Sequence, residues 1–405
     1  MDGTRLYLDT ASAAPVRREA LEAAWPYLAG AFGNPSSHHE IGRISSEALA
    51  DARSRVAKVL GMRSTDITFT SGGTEADNLA IIGMALGARA RVGTRAGRQP
   101  RAGSARSRDG QPPRRHIVTS AIEHEAVLAP VDFLARVHGF DVTEVALTSE
   151  GTVTPEALAA AVRDDTVLVS LGYANNEIGT VADVPALADI AHEAGALLHT
   201  DAVQAAGWLP LSGFGADALT LAGHKVGAPK GIGVAAIRAR VPVEPLIHGG
   251  GQESGRRSGT ENVALAIAFA TALELAEAER AEAAARVRAI RDEFIAAVLA
   301  AVPGAFLTGS PDARTPNHAS FCFPDTSGEA VLLELERLGV TASSGSACAV
   351  GSDEASHVLT ALGIDAEVAQ TNVRFTFPAS ITDEQGRRAF EMLTTAASRL
   401  TQRYA

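Results

Sequence analysis

Short apolar segments alternate with helical patterns between residues 65 and 240, and this alternation restricts the fold more than any other feature. Several of the segments are apolar without interruption, as expected of strands buried on both faces. The strand candidates are Asp66–Thr70, His116–Ser120, Val142–Val145, Val167–Leu171, Leu197–Thr200, Ala218–Leu221 and Gly233–Ile237. Helix patterns between them include Glu75–Leu86, Pro155–Val162 and Val184–Ala194. The sequence therefore predicts an α/β fold, with a mostly parallel sheet covered by helices on both sides.

A second unit is predicted after a long helical pattern that runs from about Asn262 to Val302. Its candidate elements are the apolar segment Ala319–Phe323, a helix over Glu329–Leu338, a strand over Asn372–Phe377 and a final helix over Asp383–Leu400. We expect a large domain over residues 16–262. A smaller α+β domain would combine residues 1–15 with residues 263–405.

Residues 88–115 interrupt the alternation. This segment contains nine arginines, a single acid at Asp109, and almost no large apolar side chain. Such a composition is typical of a solvated, disordered insertion, which is our interpretation. An arm that binds a polyanion is the alternative.

Composition excludes several classes of protein. The chain has 405 residues, of which 46% are hydrophobic, and this fraction is too high for a mainly disordered protein. No apolar run reaches the roughly 18 residues of a membrane-spanning helix. The net charge of −11 does not favour a nucleic-acid or anionic-membrane surface. Two cysteines cannot form a disulfide framework, so we expect a reducing compartment, the cytoplasm.

Three lysines are the only candidates for chemistry that needs a primary amine: Lys58, Lys225 and Lys230. Lys58 lies on an amphipathic helix pattern, and Lys230 lies in a Pro-Lys-Gly turn. Lys225 follows an apolar strand and is flanked by small residues and a histidine, which suits an imine-forming amine. An ordinary loop lysine is the alternative.

A carboxylate and a phosphate cradle accompany this lysine. Asp201 also follows a strand, and pyridoxal phosphate enzymes place a carboxylate opposite the pyridine nitrogen. The alternative for Asp201 is a helix cap. Residues Ser71–Glu75 join a strand to a helix through small residues, so backbone N–H groups and the helix dipole could hold a phosphate.

Together these motifs resemble the cysteine desulfurases of the NifS/IscS type, which are fold-type I pyridoxal phosphate enzymes of the class V aminotransferase group. The matching segments run along nearly the whole chain. They are Leu6–Asp9, Phe32–His38, Thr70–Glu75 with Asp77–Leu79, Glu123–His124 with Ala126–Leu128, Ala174–Gly179, Asp201–Gln204, Gly223–Lys225, Pro229–Gly233, His248–Glu253, Arg257–Thr260, Ser343–Cys348 and Val373–Phe375. The resemblance implies a large domain with a seven-stranded, mostly parallel sheet and a smaller α+β C-terminal domain.

The resemblance also implies roles around the ring of pyridoxal 5'-phosphate. Lys225 would hold the cofactor covalently, and Asp201 would pair with the pyridine nitrogen. His124 would stack on the ring face and move protons. Gln204 and Asn176 would hydrogen-bond to the ring oxygen. No metal is implied.

Other residues would hold the phosphate group. Gly73, Thr74 and His224 are expected to bind it within one subunit. Thr260 would reach the phosphate of the partner subunit, which implies a homodimer.

The substrate implied by the resemblance is L-cysteine. Asn34, Asn176 and Arg374 would bind its carboxylate, since the planar guanidinium fork matches two oxygens. The alternative for Arg374 is a surface salt bridge. Cys348, in a segment of small residues, would be the nucleophile. Cys322 lies between two phenylalanines, and we assign it to packing.

The implied reaction removes sulfur from L-cysteine, gives L-alanine, and leaves a persulfide on Cys348 for a protein acceptor. The residues do not identify the acceptor. An iron–sulfur scaffold, a tRNA-thiolation protein, a DNA phosphorothioation system and a sulfur-containing natural product all stay open. Two rival functions stay open, a selenocysteine or other carbon–sulfur lyase and a sulfur-relay scaffold without turnover. Three departures from the family pattern are Ala222 in place of a hydroxyl residue, Ser12–Pro15 after the first strand, and Ser254 in place of an arginine.

Overall fold

The computed structural model describes residues 5–91, 114–324, 326–345 and 355–404. Its strands are β1 (Leu6–Tyr7), β2 (Ile67–Thr70), β3 (His116–Thr119), β4 (Asp141–Glu144), β5 (Thr166–Ser170), β6 (Leu197–Asp201), β7 (Ala218–Ala222), β8 (Gly233–Ile237), β9 (Phe306–Leu307), β10 (His318–Cys322), β11 (Val340–Thr341) and β12 (Val373–Thr376). Its helices are α1 (Arg18–Ala29), α2 (Glu40–Leu60), α3 (Gly73–Arg91), α4 (Glu125–His138), α5 (Pro155–Ala161), α6 (Val184–Glu193), α7 (Val263–Ala301), α8 (Gly328–Arg337), α9 (His357–Ala361), α10 (Ala366–Ala369) and α11 (Asp383–Tyr404).

The predicted strands between residues 65 and 240 form one seven-stranded sheet in the order β2-β8-β7-β6-β5-β3-β4. Strands β4, β3, β5, β6 and β7 pair in parallel, and β8 runs antiparallel to both β2 and β7. The predicted α/β class with a mostly parallel sheet is therefore confirmed. The strand ends differ from the predicted ones by a residue or two, because ladder hydrogen bonds rather than apolar runs define them.

The continuous apolar strands are explained by helices on both faces of the sheet. Successive residues of a strand point to opposite faces. In β3, Ile117 joins a core formed with α3 and α4, whereas Val118 joins a core formed with α1, α2, α6 and the start of α7. In β5, Leu168 and Val169 divide in the same way. A strand with two buried faces cannot show the alternation of a half-exposed strand.

A separate core surrounds the smaller sheets of the second unit. Strands β12, β10 and β9 form an antiparallel sheet, and β1 pairs in parallel with β11. Helix α7 joins the two regions, because its first half packs in the core of the large sheet and Val287, Ile290, Phe294 and Val298 pack in the second core. The domain boundaries at residues 15/16 and 262/263 stay a prediction.

The predicted insertion at residues 88–115 is too wide at both ends. Residues 88–91 continue α3, and the Arg89 guanidinium donates to His138 O at 3.2 Å. At the other end, Arg114 donates to the backbone oxygens of Asp164 at 2.9 Å and Ala194 at 2.8 Å. Residues 92–113 lie outside the described residues. No helix in the described part of the chain is long and apolar enough to cross a membrane.

Phe294 should be a major contributor to the second core. It is 2% exposed, and its ring lies 5.1 Å from that of Phe375 and 5.4 Å from that of Phe377. We expect Phe294→Ala to lower the free energy of unfolding by about 3–5 kcal/mol, because it removes a large buried ring and leaves a cavity. Urea unfolding followed by circular dichroism measures this. Leu299→Ala, at a 41% exposed site of the same helix, is the control and should cost far less. Equal losses of unfolding free energy in the two variants would contradict the assignment of Phe294 to the second core.

Candidate active site

A cavity of about 380 Å³ lies beyond the carboxyl ends of the parallel strands. This is where ligands bind in sheets of this kind. Loops after β2, β3, β5, β6 and β7 contribute to its wall, together with Arg374 of β12. Most of the predicted site residues line it: Gly73, Thr74, His124, Asn176, Asp201, Gln204, His224, Lys225 and Arg374.

Lys225 ends a single 3₁₀ turn, Gly223–Lys225, that follows β7 directly. Its ammonium donates to Ala11 O and, at 3.0 Å, to Ser12 O. Gln204 Nε2 donates to the same Ala11 oxygen at 3.0 Å. The two other lysines are exposed, as predicted for Lys58. The geometry therefore leaves one amine in the cavity.

Asp201 is the last residue of β6, and its side chain lines the cavity. One carboxylate oxygen accepts from the backbone N–H of Val203 at 2.8 Å and so holds the turn after β6. A turn and not a helix follows Asp201, so the helix cap that was the alternative is not formed. Burial, followed by the charge of Asp77, raises the pKa of Asp201 to about 7. A buried carboxyl that lacks a full counter-charge suits a cationic ring nitrogen.

The start of α3 and His224 form another part of the cavity wall. Helix α3 begins at Gly73, and an added Cβ there would lie 3.2 Å from Ala222 Cβ and from Val203 Cγ2. Backbone N–H groups at a helix start favour a phosphate. Burial, followed by the charge of Lys225, lowers the pKa of His224 to about 4, so its imidazole is neutral at pH 7. Ala222 supplies no hydroxyl here.

His124 is the N-cap of α4. Its Nδ1 accepts from the backbone N–H of Ala126 at 3.0 Å. A ring nitrogen that accepts a hydrogen bond carries no proton, so the proton of the neutral ring lies on Nε2. The nitrogen that can exchange a proton is therefore Nε2.

Two further buried carboxyls, which the sequence analysis gave no role, lie in the cavity wall. Glu123 accepts from Ser120 Oγ at 2.7 Å and from Gly172 N at 2.9 Å. Asp77 accepts from the Thr220 hydroxyl. Burial raises the pKa of Glu123 to about 8 and that of Asp77 to about 7. Their positions beside His124 and in the first turns of α3 were visible in the sequence, but nothing there indicated burial.

Arg374 and Asn176 meet at the wall formed by the second unit. Arg374 is 2% exposed, and Nη1 donates to Asn176 O at 2.9 Å and to Gly345 O at 3.2 Å. Nη2 donates to Asp9 Oδ1 at 2.8 Å. The salt bridge with Asp9 is buried, so Arg374 does not form the surface salt bridge that was the alternative, and the residue lines the cavity.

Other predicted residues are not brought to this cavity. Asn34 is exposed, and its Oδ1 accepts from Ser36 N at 2.9 Å. Thr260 is exposed on the single chain. Cys348 lies outside the described residues. Cys322 is fully buried in β10, and burial raises the pKa of its thiol to about 11, which confirms its assignment to packing.

A family profile described as "Aminotransferase class-V" matches residues 6–96 and 102–385. The chain belongs to the class-V aminotransferase family. Members of this family use pyridoxal 5'-phosphate, which is the cofactor of this chain. The phosphate end at α3, the buried Asp201 carboxyl and the Lys225 amine of the cavity fit that group.

Similar proteins narrow the family to one branch. The chain is 41% identical to "Cysteine desulfurase IscS" of Dictyoglomus turgidum over 96% of this chain and 93% of that protein. Among solved structures, a "NifS-like protein" superposes with a TM-score of 0.85 at 33% identity, over 98% of this chain and 100% of that one. "SspA in complex with cysteine" superposes with a TM-score of 0.76 at 31% identity, over 93% of this chain and 100% of that one. This class-V aminotransferase therefore groups with the cysteine desulfurases.

The raised pKa of Glu123 predicts a pH dependence of stability in this class-V aminotransferase. The folded chain keeps the proton up to about pH 8, whereas the unfolded carboxyl loses it near its ordinary value of 4.5. The stability that the protonated Glu123 gives to the folded chain is therefore lost as pH rises from about 4.5 to about 8. In the cofactor-free protein, Glu123→Gln should make the urea midpoint fall less between pH 5 and pH 8 than it does in the wild type.

The control for this measurement is Glu125→Gln, at an exposed position two residues further along. It should follow the wild-type curve. A Glu123→Gln curve parallel to that of the wild type would show that Glu123 is ionised in the folded chain.

Proposed function

We propose that this pyridoxal-phosphate-dependent cysteine desulfurase takes the sulfur of L-cysteine onto Cys348, as a persulfide, and releases L-alanine. One observation carries the proposal. The cavity brings one lysine, a buried carboxyl and a buried arginine together, and its wall includes Gly345, three residues before Cys348 in the sequence. Three residues span at most about 10 Å, and on this short sequence distance we propose Cys348 as the thiol that acts at the cavity.

The cofactor would be held at both of its ends. Lys225 would bind it covalently, and Asp201 would keep the ring nitrogen protonated. The open start of α3, at Gly73 and Thr74, and the neutral His224 would hold the phosphate. When bound, pyridoxal phosphate supplies an electron sink that stabilises negative charge on the substrate α-carbon. Gln204 and Asn176 would contact the ring oxygen.

Proton transfer would be performed by Lys225 and His124. The lysine amine would take the proton from the substrate α-carbon. The Ala11 and Ser12 carbonyl oxygens that hold the ammonium in this structure would then stabilise the protonated amine. His124 would exchange a proton at Nε2, because its Nδ1 is held by Ala126 N.

Sulfur transfer would be a displacement at the substrate thiol. The Cys348 thiolate attacks the substrate sulfur, and an S–S bond forms as the Cβ–S bond breaks. The electron pair of that bond stays on the carbon fragment, which takes up a proton and leaves as alanine. Arg374 and Asn176, with Asn34 as the further predicted ligand, would hold the carboxylate in place. No external oxidant or reductant is needed.

The two cysteines give a direct test. We expect Cys348→Ala to lower alanine formation from L-cysteine by about three orders of magnitude or more, because no other thiol reaches the cavity. The matched control is Cys322→Ala, which removes the buried thiol and should leave turnover near that of the wild type. Alanine is quantified by amino-acid analysis and the persulfide by mass spectrometry. Near-normal sulfide release by Cys348→Ala would instead favour a lyase that does not use this cysteine.

Lys225→Ala separates the enzyme from a relay scaffold without turnover. The purified wild type should be yellow, and borohydride should bleach it as the covalent bond to Lys225 is reduced. A Lys225→Ala protein that kept the same borohydride-sensitive colour would contradict the assignment of the amine.

A homodimer is proposed on the basis of one exposed helix face. Leu21, Trp25 and Leu28 share a face of α1 and are 50–67% exposed, and Phe32 beyond the helix is 74% exposed. A contiguous apolar patch of this kind marks an interaction site. The opposite face of α1 packs on α7, which leaves the apolar face open to another molecule. A second copy of the chain is the proposed partner. Thr260 would reach the phosphate of that copy.

Charge introduced on this face should separate the subunits. We expect Trp25→Glu combined with Phe32→Glu to convert the dimer to a monomer, because two carboxylates would have to be desolvated in the interface. Analytical ultracentrifugation measures the mass. The control is Leu333→Glu, at a 55% exposed position of α8, which should remain dimeric. A wild type that sediments as a monomer would contradict the proposal.

The persulfide would pass to a protein sulfur acceptor in the cytoplasm. A negatively charged chain with two cysteines and no membrane-spanning helix among its described residues supports this setting. An iron–sulfur scaffold and a thiolation protein remain the candidate acceptors. Mass spectrometry of sulfur transfer to purified candidates distinguishes them.

A further inference from the structure

The charge of Arg374 is already paired by a carboxylate of the chain itself. Nη2 donates to Asp9 Oδ1 at 2.8 Å and to Ser12 Oγ at 3.0 Å. Nη1 donates to the backbone oxygens of Asn176 at 2.9 Å and Gly345 at 3.2 Å. A guanidinium has five N–H donors, so these contacts engage the four terminal ones. Nε is buried and has no hydrogen-bond partner among the described residues.

Asp9 is held firmly in this position. It follows β1, and its backbone forms a parallel bridge with Thr376 of β12, two residues from Arg374. Ser12 Oγ donates to Asp9 Oδ1 at 2.9 Å, and the Tyr7 hydroxyl donates to Asp9 O at 3.0 Å. The Asp9 side chain is 16% exposed. The pair is therefore a largely desolvated ion pair, which differs from a surface contact between mobile side chains.

We propose that Asp9 is an internal counter-ion to Arg374, which competes with the carboxylate of the bound amino acid and limits how tightly the site holds substrate and product. The inference rests on the proposed function, in which Arg374 binds that carboxylate. A guanidinium already paired with Asp9 is not the free fork that the sequence analysis expected for the substrate carboxylate. The carboxylate of the substrate would have to share a terminal nitrogen of Arg374 with Asp9.

The physical reason is that two carboxylates share one cation. Without a ligand, Asp9 neutralises a charge that would be costly to leave buried and unpaired. An incoming carboxylate therefore gains less from Arg374, and it is repelled by Asp9. Alanine carries the same carboxylate as cysteine, so a guanidinium without this counter-ion would also retain the product. A weaker hold favours release after each turnover.

The test is equilibrium binding of L-alanine to the holoenzyme, followed by the change in cofactor absorption. Asp9→Asn keeps an oxygen that can accept from Arg374 and removes the negative charge. We expect its Kd for L-alanine to fall roughly three- to tenfold. L-Alanine should also raise the melting temperature of this variant more than that of the wild type. A purely structural role for Asp9 predicts weaker binding.

Two variants keep the outcomes distinct. Ser12→Ala removes the other side-chain contact of the same nitrogen without changing charge, so it should not tighten binding. Arg374→Ala should lose L-alanine binding, and wild-type binding by this variant would overturn the proposed function of Arg374. Loss of binding in Arg374→Ala, with unchanged or weaker binding in Asp9→Asn, would overturn the counter-ion alone. If Asp9→Asn does not give folded holoenzyme, Asp9→Ser, which also removes the charge, is measured in the same way.

Discussion

The parallel pairing of β6 with β7 is the constraint on which the site depends. Its register aligns Asp201 with Thr220, so Asp201 ends β6 close to the end of β7 at Ala222. The turn that carries Lys225 follows immediately. A slip of one residue would separate the buried His199 of β6 from Ser170 of β5 and Thr220 of β7, so these polar contacts fix the register. The spacing between the carboxyl and the amine is therefore set by the packing of the sheet.

The cavity wall contains three buried carboxyls whose ionised forms the protein alone does not stabilise. Asp77, Glu123 and Asp201 all have raised pKa values, and burial is the largest cause for each. Ionising a buried carboxyl costs free energy. A cationic ring nitrogen next to Asp201 would offset part of that cost. The cofactor is thus expected to stabilise the fold as well as to perform chemistry. Of the three carboxyls, Glu123 also ties the ends of β3 and β5 together, because it accepts from Ser120 and Gly172.

The sequence was a good guide wherever a local pattern determines the structure. Apolar runs located the strands of the large sheet, and a strand end followed by Gly-His-Lys located Lys225. The burial of Glu123 was not predictable, because it depends on Gly172, which is distant in sequence. The same holds for Asp9, whose partner is at position 374.

For Arg374 the residue type suggested a fork for the substrate carboxylate, but only the tertiary structure shows that its terminal nitrogens are already engaged. The limits of the arginine-rich segment were wrong because composition does not show where α3 ends.

The residues around the cavity come from two cores, and the segment after β1 joins them. Carbonyl oxygens at Ala11 and Ser12 hold Lys225, which belongs to the large sheet, while Asp9 holds Arg374, which belongs to the second unit. An amino acid bound at both residues would have its α-carbon near the amine and its carboxylate near the guanidinium. The distance between those two groups must therefore match one amino acid. Because a short, hydrogen-bonded stretch of backbone fixes both groups, the two cores need not move relative to each other to make that match. Rigid placement of this kind lowers the entropy cost of orienting the substrate.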